Sequence, residues 1–426
     1  GFRPVGRVAE EPAGGGGGAA PLLPVLVFVG LNSLGTGAVQ TGVFFLLREA
    51  YGFSAGANFV FGVFLYASYI VGALAVGPLL RRWTSPERAR VSARGVLLAL
   101  VLVQAGLSLL PRTASWLGGG GAPGVWVMWT VGLGFGVLTG MMWPIVESFL
   151  SGGRRGRTLS AATGKFNIVW SAAVVAAFWL MAPLLDGRPL EVLTGLAVFQ
   201  AGSALCLRWF PRKPGRFLES APEPHPAHWA RLLRWFRVLL PVGYVLCGTI
   251  SPLLPSVIGR LGVDTGWMTP VASAWVTSRV VVFAVFERWH GWHGRWWMPV
   301  LAGGGLVGGF IATVAAPGWV ASHAGSGTGV AVLIGALLLF GTGHATAYVG
   351  ALYYAMELGD AEVEAGGTHE ALIGVGYGVG PVLGLGAVGI AGAQSGAAFE
   401  IWLIVLALGV TGLALTAATR QRPSRI

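Results

Sequence analysis

The chain has 426 residues, of which 54% are hydrophobic and only 11% charged, against roughly 25% charged in an average soluble chain. With a mean hydropathy of +0.70, this composition excludes a soluble globular protein and points to a polytopic membrane protein embedded in a lipid bilayer. The net charge of +11 is read as loop charge gathered on one side of that bilayer, not as a nucleic-acid-binding surface.

Residues 1–21 read as a flexible tail containing the low-complexity run Gly14–Gly18. Twelve apolar runs follow, at about 22–48, 55–80, 91–111, 124–149, 160–184, 189–210, 235–259, 266–287, 297–317, 328–356, 369–392 and 397–418. Each is near the ~20 residues that carry a helix across a bilayer. Backbone amides in lipid must be satisfied within the segment, and these runs are too long and too uniformly apolar for barrel strands, so all twelve are predicted helical. The first is too long for the h-region of a cleavable signal. Gly118–Gly121 and Ser322–Gly329 read as loops. Cys206 and Cys247 lie inside apolar runs and define no disulfide framework. Gly132, Gly136 and Gly140 form a stripe of small residues that suits close helix packing.

Residues 22–210 and 235–418 hold six runs each, separated by the Pro-rich segment 211–234; residues 419–426 form a second tail. Within the separator, His228–Phe236 reads either as linker or as a short basic amphipathic helix on the membrane surface. Six crossings per half let both halves enter from the same side, so the repeat is parallel. Lys and Arg give the orientation. Of 28, 23 fall in the tails, the central segment and the 2–3, 4–5 and 8–9 loops, whereas Arg48, Arg112, Arg188 and Arg260 lie on the opposite side and Arg279 lies within a run. Both termini are therefore predicted cytoplasmic, and the membrane is taken as the bacterial inner (plasma) membrane.

The two halves carry related stretches. Glu147–Ser171 and Leu352–Gly376, 205 positions apart, each leave an apolar run, cross a polar loop and enter the next run. Superimposed, they invert in charge: Arg155 falls on Asp360, Arg157 on Glu362 and Lys165 on Glu370. One reading is a gate, with Lys165 and Glu370 meeting as an ion pair when the cavity is open outward and parting when it opens inward. The other is two solvated loops of unrelated sign. A second pair, Gly77-Pro-Leu-Leu-Arg81-Arg82 and Phe283-Ala-Val-Phe-Glu287-Arg288, lies 206 positions apart between runs two and three and runs eight and nine.

Twelve helices, two parallel halves and this loop in both halves resemble the major facilitator superfamily over roughly residues 22–418. The family's loop motif runs Gly, three residues, an acid, then a base. Gly77 and Arg82 match it in the first copy, where Arg81 stands at the acidic position. Glu287 and Arg288 match it in the second, where Phe283 stands at the Gly position. The resemblance implies an all-α integral membrane fold of two six-helix bundles related by a parallel pseudo-two-fold. It also implies alternating access about a central site.

Polar residues inside the runs are the substrate-binding candidates. Arg279 lies nine residues before Arg288, so ~13 Å deep at about 1.5 Å per residue. A charge there faces the cavity, pairs with a partner or snorkels. Trp275 is one turn away on the same face and placed to stack on it. His344 and Tyr348 share a face of run ten, where His344 is either a proton carrier or a packed, hydrogen-bonded histidine. Asn32, Thr36 and Gln40 in run one, and Asn167 and Ser171 beside Trp170 in run five, serve either as helix–helix glue or as cargo contacts. Thr139 and Trp143 in run four and Tyr244 in run seven complete the set, with packing as their alternative role.

There is no Walker loop, zinc spacing or nucleophile elbow, so no catalytic residue, metal site or cofactor is expected. The expected function is secondary or facilitative transport of a small-molecule substrate by a monomer, with Arg279 pointing to an anionic or carboxylate-bearing solute. The rivals are a membrane enzyme acting on lipid or glycan and a non-transporting sensor on the same scaffold. The orientation is checked by fusions after Ile426: green fluorescent protein there should fluoresce and alkaline phosphatase should be inactive. An active phosphatase would overturn the assignment.

Overall fold

A computed structural model describes residues 19–83, 91–215, 225–358 and 367–420. Twelve of its helices are long and apolar enough to cross a membrane, and among the described residues there is no strand. The first half holds α1 (Leu22–Gly35, a π turn at Thr36–Thr41, then Val43–Tyr51), α2 (Ala55–Trp83), α3 (Ala93–Leu117), α4 (Trp126–Ser151), α5 (Gly156–Leu185) and α6 (Glu191–Ser203, ending in a 3₁₀ turn at Ala204–Trp209). The second holds α7 (His228–Arg260), α8 (Thr265–Ala272 and Ala274–Arg288), α9 (Trp297–Ala324), α10 (Ser326–Glu357), α11 (Gly367–Ala391) and α12 (Ala397–Arg420). The result is an all-α integral membrane protein of two six-helix bundles.

Several expected boundaries move; α3, expected to end at 111, runs on through Pro111 to Leu117. The loop expected over Ser322–Gly329 shrinks to Gly325, whose φ of +87° makes the whole turn between α9 and α10; glycine adopts that backbone without a Cβ penalty. His228–Phe236 does not lie apart as a surface helix or linker. It runs without a break into α7, because Leu232, Leu233 and Phe236 share a side that is buried, with Phe236 stacked on Tyr354 of α10 at 5.7 Å.

Lipid gives apolar helices no hydrophobic reason to associate, so contact depends on how closely backbones approach. Here glycine sets that distance. A Cβ on Gly136 of α4 would lie 2.0 Å from Ser68 Oγ and 2.7 Å from the Leu65 carbonyl of α2. A Cβ on Gly341 of α10, 205 positions on, would lie 2.2 Å from Ser278 Oγ and 1.9 Å from the Trp275 carbonyl of α8. The two serines even bond alike, Ser68 Oγ donating to Leu65 O at 2.7 Å and Ser278 Oγ to Trp275 O at 2.9 Å. The same contact is thus built twice, as a duplicated bundle requires. Gly132 and Gly140 extend the α4 stripe onto Phe61 and the Tyr69 carbonyl.

The bundles meet along α2 against α11 and α5 against α8. At the face away from the basic loops they interlock: Arg48 donates to the Pro255 carbonyl, Gly56 N–H to Gln394 Oε1 at 3.1 Å, and Asn58 Nδ2 to Pro252 O at 3.4 Å. Trp179 of α5 packs edge-on against Trp267 of α8 at 6.2 Å. Two of the remaining arginines on this far face are neutralised within their own bundle, Arg112 by Glu191 at 2.6 Å and Arg260 by Glu400 at 3.3 Å. The far face is therefore closed.

Because the space beside Gly136 and Gly341 is filled by backbone, Gly136→Val and Gly341→Val should each destabilise by about 1–3 kcal/mol or more. Thermal unfolding of the detergent-solubilised protein measures this. Gly335→Ala, where a Cβ meets nothing within 4 Å, is the control and should not lower the midpoint.

Candidate functional site

A cavity of about 720 Å³ lies between α5 on one side and α8 and α10 on the other, and it reaches the basic face. Its α5 wall is small and polar, with Gly156, Arg157, Ser160, Thr163, Gly164 and Asn167. Its opposite wall is aromatic and apolar, with Phe283, Phe286, Val349, Leu352 and Met356. At the mouth stand Glu287, His290, Trp292, His293, Tyr353 and Glu357. The Tyr353 hydroxyl and His293 Nδ1 are 3.1 Å apart. Burial, with His290 beside it, pushes the His293 pKa down to about 4. Among the described residues no three His, Cys, Asp or Glu side chains are placed to hold a metal ion.

One helical turn beyond Phe283 lies Arg279, only 1% exposed. Three aromatic rings cage it: the guanidinium carbon is 4.4 Å from the Trp170 ring of α5, 5.4 Å from Trp275 and 5.5 Å from Phe283. Trp275 and Phe283 sit one turn to either side of Arg279 on α8, whereas Trp170 arrives from the other bundle. Cation–π contacts of this kind soften the cost of burying a guanidinium. They do not satisfy its N–H groups, and Nε and Nη2 are buried without a hydrogen-bond partner.

Around this centre an aromatic belt crosses the interface. Trp170 stacks with Tyr348 of α10 at 6.3 Å. His344, 1% exposed and with both ring nitrogens unpartnered, lies edge-on to Tyr244 of α7 at 4.8 Å and to Trp275 at 5.9 Å. Tyr244 meets Tyr377 of α11 at 5.0 Å, and Tyr377 stacks on Tyr66 of α2 at 4.8 Å. Asn167 Oδ1 and Ser171 Oγ, on the α5 face that carries Trp170, are also buried and unpartnered.

Asn32, Thr36 and Gln40 lie where α1 changes pitch. Gly37 presses the helix against α5, where a Cβ would come within 2.5 Å of Ala177 Cβ, and Gly42 N–H reaches back to Gly37 O at 2.8 Å, five residues away. Such π turns recur at functional sites. This one leaves Thr36 Oγ1 unpartnered, while Tyr66 donates to the Gln40 carbonyl at 2.8 Å and Asn32 Nδ2 bonds back to Phe28 O at 2.9 Å. The structure takes two other candidates away from this centre. Thr139 accepts a hydrogen bond from Gln104 of α3 at 2.9 Å, and Trp143 packs edge-on to Phe166 at 6.2 Å within the first bundle. The glycine stripe of α4 turns towards α2, which leaves Thr139 beside α3.

Lys165 and Glu370 make no ion pair in the structure. Lys165 is exposed, whereas Glu370 is buried and accepts a hydrogen bond from the Tyr69 hydroxyl of α2. Arg155 and Arg157 are exposed at the start of α5, and their expected partners Asp360 and Glu362 lie outside the described residues. In the loop motif, Arg81 and Arg82 are exposed at the end of α2, near Gly77, and Arg288 is exposed at the end of α8. Glu287 is the member that reaches across, its carboxylate lying against Gly164 of α5 so closely that a Cβ there would overlap it. Phe283, counted in sequence only for standing at a glycine position, proves to divide the cavity from Arg279. Tyr66, Tyr69 and Tyr377 were visible in sequence only as polar atoms in apolar runs.

No protein-family model and no curated protein matches the chain. Solved structures do match its fold. The crystal structure of the nucleoside transporter NupG aligns with a TM-score of 0.63 at 12% identity, over 94% of this chain and 99% of that one. The human organic anion transporter MFSD10 (TETRAN) aligns at 0.59 and 15% identity, over 92% and 98%. A bacterial homologue of the human lysosomal transporter Spinster, captured inward-facing and occupied, aligns at 0.60 and 14%, over 95% and 98%. The chain is thus a twelve-helix membrane protein that shares the fold of these solved structures.

Glu370→Gln keeps an oxygen to accept from Tyr69 and should leave the thermal midpoint nearly unchanged. Glu370→Leu strands a buried hydroxyl and should cost about 1–3 kcal/mol. Equal midpoints for the two variants would show that the Tyr69 contact contributes nothing.

Proposed function

We propose that this chain is a transporter working by alternating access, that its basic face is cytoplasmic, and that its cargo is a small solute bearing a carboxylate or similar anion. The observation that carries the cargo assignment is Arg279, buried between the bundles with two N–H groups unpartnered. An ionised group without a partner is expensive to bury, and a charge kept inside a membrane bundle marks a solute pathway more often than a structural need. The cavity runs from the basic face to the ring that covers this charge, while the far face is interlocked. The molecule therefore has the form of one end-state of a rocking cycle, open to the cytoplasm.

In the opposite state the far-face contacts part, and α5 closes on α10 and α11. Lys165, exposed here, and Glu370 are then carried towards each other. That an organic anion transporter is among the folds this chain resembles agrees with the cargo assignment. Transport is preferred to enzymology because the unpartnered polar atoms converge midway along the helices, between the bundles, and not at a membrane surface where a lipid or glycan head group lies.

Uptake of labelled carboxylates and their neutral amides into proteoliposomes tests the proposal. The wild-type protein should accumulate at least one carboxylate in preference to its amide. Arg279→Leu should abolish this while remaining folded, and Arg279→Lys should lose tenfold or more, since a lysine offers no planar fork. Undiminished uptake by the leucine variant would refute the assignment.

A further inference from the structure

Nε and Nη2 are the two nitrogens on one edge of the guanidinium, and their N–H bonds run parallel. This is the edge that donates two bonds at once to the two oxygens of a single carboxylate. In Arg279 it is this edge that lies buried without a partner. The three rings 4.4–5.5 Å from the guanidinium carbon crowd its surroundings. A flat group lying in the guanidinium plane fits such a setting. A tetrahedral phosphate or sulfate, with oxygens above and below that plane, fits it badly.

Beyond Phe283 the cavity has two unlike walls. Phe286, Leu352 and Met356 offer apolar surface, and α5 offers Asn167, whose Oδ1 is a buried acceptor with nothing to accept from. Resting on the reading of Arg279 given above, we infer that the cargo is an amphipathic monocarboxylate. Its carboxylate seats side-on against Nε and Nη2, its apolar body of aromatic size lies along Phe286, Leu352 and Met356, and a hydroxyl or N–H on that body donates to Asn167. Phe283 both covers the guanidinium and lines the cavity, so it turns aside to admit the carboxylate and then packs on the body behind it.

Calorimetric titration of the detergent-solubilised protein with phenylacetate, 4-hydroxyphenylacetate, 4-hydroxyphenylacetamide, acetate and inorganic phosphate tests this. The two aryl acids should bind. The amide, acetate and phosphate should each be weaker by tenfold or more. Asn167→Ala should abolish the preference for the hydroxylated acid over the plain one, and Arg279→Gln should remove binding of both. Acetate or phosphate binding as tightly as the aryl acids would overturn the inference about the body while leaving the anion site at Arg279 intact. If the aryl acids bind the Arg279→Gln variant undiminished, or no anion in the set binds the wild-type protein, both readings fall.

Discussion

In lipid, one apolar helix gains nothing from another unless their backbones come close enough for dense contact, and this molecule depends on glycine for that closeness. The paired contacts at Gly136 and Gly341 bring α4 onto α2 and α10 onto α8, fixing the interior faces of both bundles. Gly37 does the same for α1 against α5, so tightly that the helix widens into a π turn. Gly248 and Gly380 bring α7 and α11 together, each with its would-be Cβ 2.4 Å from the other helix's backbone. Once these distances are set, the large side chains that remain in the middle have only the bundle interface to occupy. The aromatic belt from Tyr66 to Trp170 is what fills it.

Within that packing, a guanidinium is tolerable because of what surrounds it. Ring faces replace part of its hydration, and Trp170 comes from one bundle while Trp275 and Phe283 come from the other. The charge is therefore held by both halves, and any rocking of the halves changes its environment. Under the proposed alternating access, a ligand that completes the unpartnered edge of Arg279 would interact differently with the two states, which is what a solute must do to shift a conformational equilibrium. Glu370 occupies a comparable position nearer the basic face, joined to α2 through Tyr69. It links the bundles there through the hydrogen bond it accepts from Tyr69.

Much of the fold was legible because hydropathy and loop charge speak directly to a bilayer. The twelve helices appear where the apolar runs lie, and the 205-residue offset surfaces again in the Gly136 and Gly341 contacts. Legibility ended where an outcome depends on which neighbour arrives. Trp275 was visible as a partner for Arg279 through its spacing on one helix, but Trp170 comes from another bundle, and no spacing rule announces it. Thr139 read as an interior polar residue, yet Gln104 of α3 claims it. Glu370 was matched with Lys165 because they are equivalent by repeat, whereas Tyr69, which has no such equivalence, is what the chain brings to it. The π turn of α1 coincides with the close approach of Gly37 to α5, which no local pattern announces.

On the proposed assignment, the buried, unpartnered Nε–Nη2 edge of Arg279 is the seat for a carboxylate. This is tested most directly by ¹⁵N resonance of arginine-labelled protein, with the Arg279 signals assigned by their loss in Arg279→Lys. On adding a transported carboxylate, the account predicts a shift at Nε and two distinct Nη signals as rotation of the guanidinium is arrested by two parallel bonds. Arg279 resonances that do not respond to a solute the protein demonstrably carries would contradict it.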